Sequence, residues 1–80
     1  MEEFHKKLKT DIEKKVGFKI LTTTEASVLQ NLLLEKNIYD ISLSTIRRFW
    51  GLIPHRNPLK KTLNALAAFL GYKTYLEFVK

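Results

Sequence analysis

Eighty residues are enough for one small domain with a single core and too few for two. The composition, 45% hydrophobic and 28% charged with no cysteine, is that of a globular chain and excludes a disulfide framework, a thiolate zinc site and a cysteine nucleophile. The formal charge of +6 is unevenly placed: in residues 1–40 seven lysines are matched by seven acids, whereas in residues 41–80 three arginines and four lysines face Glu77 alone.

From Phe4 to Val16 the apolar residues Phe4, Leu8, Ile12 and Val16 recur every fourth position among charges, which predicts an amphipathic lead helix stopped by Gly17. Lys6, Lys7, Lys9, Lys14 and Lys15 are interleaved with acids and read as a solvated face. The run Thr22-Thr23-Thr24-Glu25 matches a capping box and starts a second helix. That helix has Ala26, Leu29, Leu32 and Leu33 inward, with Val28 and Leu34 broadening the stripe and Asn37 as a left-handed exit. Residues 37–41 read as a partly buried turn.

Ser42 caps a short third helix, Ser42–Trp50. At 100° per residue Ile46, Phe49, Trp50 and Ile53 cluster on one side, Ser44 and Arg48 point away, and Arg47 lies at the flank. Phe49 and Trp50 are therefore expected in the core, and Gly51 ends or kinks the helix. Asn57-Pro58 predicts the start of a fourth helix with a Leu59, Leu63, Leu66 and Leu70 stripe, stopped by Gly71. Thr74-Tyr75-Leu76-Glu77 is a second capping box and opens a last short helix expected to bury Leu76, together with Phe78 or Val79. Tyr39, Tyr72 and Tyr75 read as rim residues. The chain ends inside this pattern at Lys80, as a piece of a longer protein would. The expected fold is all-α: a compact bundle of about five short helices in one domain over residues 1–80. Within it, 1–17 form the lead helix, 22–71 the core and 74–80 the start of the last helix.

All three arginines fall between positions 47 and 56, and no acid occurs from Ile41 to Leu76. Such a segment points to a polyanion, the plain alternative being a solubilising surface. His5 and His55 are fifty residues apart with no ligand spacing around them, so neither a metal nor a cofactor is expected. Ser42, Ser44 and His55 lack a nucleophile elbow, a phosphate loop or a carboxylate pair, so no enzyme is expected. The opening Met1-Glu2-Glu3 lacks the basic region of a secretory signal. The longest apolar run, Ala65 to Leu70, is far short of a membrane span, which leaves a cytoplasmic protein as the expectation.

The segment Ile41-Ser42-Leu43-Ser44-Thr45-Ile46-Arg47-Arg48-Phe49-Trp50-Gly51 resembles the recognition-helix region of phage-repressor and Cro-like helix-turn-helix domains. Residues 58–71, with spaced leucines and a closing Leu-Gly, are similar to that family's fourth helix. The likeness covers roughly residues 23–80 and extends to a group of short bacterial N-terminal domains with the same Ser-Thr-Ile-Arg-Arg-aromatic-Trp-Gly signature. It implies a lambda-repressor-like helix-turn-helix fold, binding to double-stranded DNA and transcriptional regulation, often as a homodimer. Carried over residue by residue, it assigns Leu43, Ser44 and Arg48 to base edges and Arg47 to the groove wall or phosphate. The chemistry of the residues adds Ser42, Arg56, Lys60 and Lys61 as backbone contacts. The chain departs from the family in a longer turn, Lys36 to Ile41, and in Leu43 and Ser44 at positions where Gln, Asn or Lys are usual. These departures favour an alternative: a protein-interaction or regulatory helical module of a larger protein that binds no DNA.

Overall fold

A computed structural model describes residues 2–39, 41–54 and 57–80. It contains five helices: α1 (Glu2–Val16), α2 (Thr23–Glu35), α3 (Leu43–Phe49), α4 (Lys60–Phe69) and α5 (Tyr75–Val79). Among the described residues there is no strand, and no helix is long and apolar enough to cross a membrane. The protein is thus the small all-α bundle that the periodicities predict.

The ends of α2 and α3 follow from local chemistry. Thr22 caps α2, and the Glu25 carboxylate accepts from the Thr22 amide at 2.7 Å and the Leu21 amide at 3.1 Å. Asn37 takes a left-handed φ of 63°, with its amide on the Leu34 carbonyl and the Ile38 amide on that of Leu33. Gly51 closes α3 the same way at φ 76°, its amide on the Arg48 carbonyl and the Leu52 amide on that of Arg47. Side chains other than Asn rarely tolerate this backbone, so Gly51 sets where α3 stops.

Three expectations need correction here. First, α4 begins two residues later than Asn57-Pro58 suggests: its N-cap is Leu59, extended at φ −71° and ψ 152°, with no side-chain cap. Leu59 therefore precedes the helical stripe and is 69% exposed, while Leu63 and Leu66, with Thr62, Ala67 and Phe69, face inward. Second, Val28 and Leu34 do not broaden the buried stripe of α2 but stand 42% and 40% exposed, because the partners of α2 cover only its Ala26, Leu29 and Leu33 side. Third, α5 buries Tyr75 and Phe78, one helical turn apart, and leaves Leu76 62% exposed. Tyr75 is accordingly no rim residue. Its amide donates to Asn64 Oδ1 at 2.8 Å, its hydroxyl is buried without a hydrogen-bond partner, and burial pushes the phenol pKa above its ordinary value.

The core is one cluster to which every helix contributes, with Leu8, Ile12, Leu29, Leu33, Ile46 and Leu66 at its centre. Helices α2 and α3 pack together, α4 packs on α5, and α1 lies against α4. The charged face of α1 is not uniformly solvated. Lys7 does pair on the surface with Asp11 at 2.8 Å. Lys15 Nζ, however, donates to the Phe69 carbonyl at 2.6 Å and sits 4.9 Å from the Phe69 ring centre, and Lys9 Nζ lies 5.3 Å from that of Phe49. Glu13 ties three segments together: one carboxylate oxygen accepts from the Ile20 amide at 2.8 Å and from the Trp50 indole at 3.2 Å. The His5 ring stands 5.8 Å from Phe49 and 6.0 Å from Tyr75. The lead helix is thus a buttress behind α3.

Candidate nucleic-acid interface

α3 has only seven residues, and a helix so short does not persist in isolation, so its cap and its packing must hold it. Ser42 is exposed; its Oγ accepts from the Thr45 amide at 3.2 Å and shares a hydrogen bond with Thr45 Oγ1 at 2.9 Å. Ile46 and Phe49 anchor the inner side at 1% and 2% exposure. Phe49 thus lies in the core as expected, whereas Trp50 is half-buried at its edge, packed edge-on against Phe49 with ring centres 5.4 Å apart. The indole N–H explains this position: it needs an acceptor, and Glu13 offers one at the core margin.

The residues assigned to base edges have different surroundings. Leu43 does not stand out from the fold: it is half-buried and packed against the core, which removes it as a freely projecting side chain. The physical reason is its place in the first turn, one helical turn before Ile46 on the same side. Ser44 is half-buried. Arg48 is half-buried and lines a cavity of about 190 Å³ with Thr45 and Phe49 of α3 and Asn57, Pro58, Leu59 and Thr62 at the approach to α4. Arg48 also interacts within the chain.

The backbone-contact candidates are likewise unequal. Lys60 and Lys61 are exposed in the first turn of α4, which contains no acid and whose amides receive no side-chain cap. Lys61 lines a second, more open groove with Asn37, Ile38 and Tyr39 of the α2–α3 turn and Asn64, Ala65 and Ala68 of α4. Arg47, one residue and about 100° round the helix from Arg48, is half-buried, and its Nε is enclosed without a hydrogen-bond partner. Arg56, like His55, lies outside the described residues.

Arg48 is therefore brought against the start of α4, where Lys60 and Lys61 stand, and no acid is among the described residues that line either groove. Arg47 is set apart on the flank of α3. Sequence reading missed Thr45, Asn57 and Thr62 as neighbours of Arg48. Only the Ser42 cap hinted at Thr45, and nothing local marks the other two, which arrive from α4 and the segment that leads into it. It also missed Glu13, whose place in a charge-paired stretch hid a tertiary role. No protein-family model, curated protein or solved structure matches the chain.

Proposed function

We propose that this chain is a double-stranded DNA-binding helix-turn-helix domain that regulates transcription and performs no chemistry of its own. One observation carries the reading: the Arg48 side of α3 meets the lysine-bearing, side-chain-uncapped start of α4, and no acid intervenes among the described residues. In this mechanism Lys60, Lys61 and Arg47 engage phosphates together with Arg56 and the Ser42 end of α3, while Arg48, with Ser44 beside it, enters a major groove. A guanidinium bonds guanine O6 and N7 together and discriminates by roughly 1–3 kcal/mol. Leu43 retains at most an edge contact with a thymine methyl. Where the domain pairs, a homodimer reads two half-sites one helical turn apart.

Fluorescence anisotropy against duplexes of mixed sequence tests this. With about four phosphates neutralised, the log-log salt slope is near −3 to −4. Arg48→Ala relaxes base preference, and Lys61→Ala weakens all duplexes alike. Absence of binding to any duplex at low salt ends the proposal, and equal effects of the two variants overturn the assigned roles.

A second reading, a regulatory module of a longer chain that binds protein in place of DNA, is favoured by the packed Leu43 and by the exposed Leu59 and Leu76. It predicts that Leu59→Ser and Leu76→Ser disturb partner capture while duplex titrations stay flat.

A further inference from the structure

The cavity between α3 and the approach to α4 has the makings of a small-molecule site. At about 190 Å³ it exceeds the roughly 15 Å³ that a single water requires and falls below the roughly 300–1,000 Å³ of drug-sized pockets, so its occupant is compact. Its base is apolar and fixed: Phe49 is 2% exposed, and Thr62, 4% exposed, brings a hydroxyl beside it. Pro58 and Leu59 form an apolar side, and Leu59, at 69% exposure, leaves that side open for entry. Thr45 and Asn57 add polar groups around the rim, and among the described lining residues Arg48 carries the charge.

We propose that this cavity binds a small organic carboxylate, its anionic end on Arg48 and its apolar body on Phe49, Pro58 and Leu59. The Arg48 guanidinium among hydroxyl and amide groups suits a planar, two-oxygen anionic head, since the fork of N–H donors meets carboxylate oxygens in pairs. A cation is excluded by the charge of the surrounding half of the chain, and a neutral molecule makes no use of the guanidinium's charge. An idle arginine is not required: Arg48 interacts within the chain, and a group with five N–H donors shares or exchanges partners. The cavity and its charge stand independently of DNA binding. One consequence does rest on the DNA reading: an occupant engaging Arg48 withdraws it from the groove, so the carboxylate acts as an antagonist of duplex binding.

The test is a titration of the isotopically labelled full chain with sodium benzoate and, separately, with its neutral isostere benzamide at constant ionic strength, followed by amide chemical shifts. Benzoate should give saturable shifts centred on Thr45, Phe49 and Thr62 and bind about tenfold more tightly than benzamide, a difference of about 1.4 kcal/mol. Arg48→Ala should erase that preference and Arg48→Lys restore part of it, with circular dichroism verifying that both variants are folded. Equal affinity for the two probes, failure to saturate, or shifts spread over all the lysines overturns the proposal. A separate duplex competition distinguishes the two claims: benzoate binding without duplex binding sinks the DNA reading and leaves the carboxylate site, and the reverse result sinks the site alone.

Discussion

Helices α1 and α3 bury side chains in the same core yet stand in opposite relations to their charges. The 15 residues of α1 turn several charged groups onto the fold: Glu13 onto Ile20 and Trp50, Lys15 onto the end of α4, Lys9 onto Phe49. The seven residues of α3 carry Arg47 and Arg48 in a stretch without a single acid, next to the lysines of α4. In this molecule the charge-balanced half supplies the braces, and the unbalanced half supplies the surface that we propose meets DNA.

The sharpest way to break that comparison is to show that α1 is dispensable. Ile12 and Ile46 are almost wholly buried in α1 and α3, and replacing either with Ala is expected to cost about 2–5 kcal/mol in a urea titration. A small cost at Ile12 alone would reduce α1 to an appendage. Glu13→Ala comes next: it strips the acceptor from the Trp50 indole and the Ile20 amide, at about 1–3 kcal/mol, and duplex affinity should fall although the residue is remote from the proposed contacts. Glu13→Gln, which keeps an acceptor, should lose less of both. The two helix starts beside the cavity come third. Ser42→Ala is expected to lower stability by about 1 kcal/mol, and Asn57→Ala to change it by no more than about 0.5 kcal/mol, because Ser42 caps α3 and Asn57 precedes the cap of α4. The reverse order would restore a fourth helix beginning at Asn57.

The smallest effect concerns the charge-balanced half alone. The Thr22 hydroxyl, with the amides around it, holds the Glu25 carboxyl below its ordinary value of 4.5. The folded pKa is thus the lower one. The cap's contribution is complete above the unfolded value and is lost as pH falls through the folded value. Thermal melts of the parent chain and of Glu25→Gln should therefore converge below about pH 4.5 and separate above it.

Much of the bundle was legible because its signals are local. Thr22 with Glu25, Ser42 and Thr74 mark helix starts through bonds spanning two or three residues, and Gly17, Asn37, Gly51 and Gly71 mark ends through their backbone freedom. The errors came where a contact from elsewhere decided the outcome. Asn57-Pro58 has the chemistry of a helix start, but the chain runs extended through Leu59 before it coils. Tyr75 displaced Leu76 from the core because Asn64 of α4 takes the Tyr75 amide and turns that side of α5 inward. At the candidate site, the basic segment was visible in the charge distribution. The hollow beside Arg48 was not, since Asn57 and Thr62 reach it only through tertiary packing.

The shared grip of Glu13 couples the seating of α3 to the segment ahead of α2. One carboxylate oxygen joins the end of α3 to the strap leading into α2, so a tilt of α3 that lengthens the indole bond also loosens the amide at Ile20. Linkage makes this reciprocal: whatever steadies α3 must slow hydrogen exchange at Ile20, and whatever unseats the strap must loosen α3. That amide thereby becomes a gauge of how firmly α3 is seated.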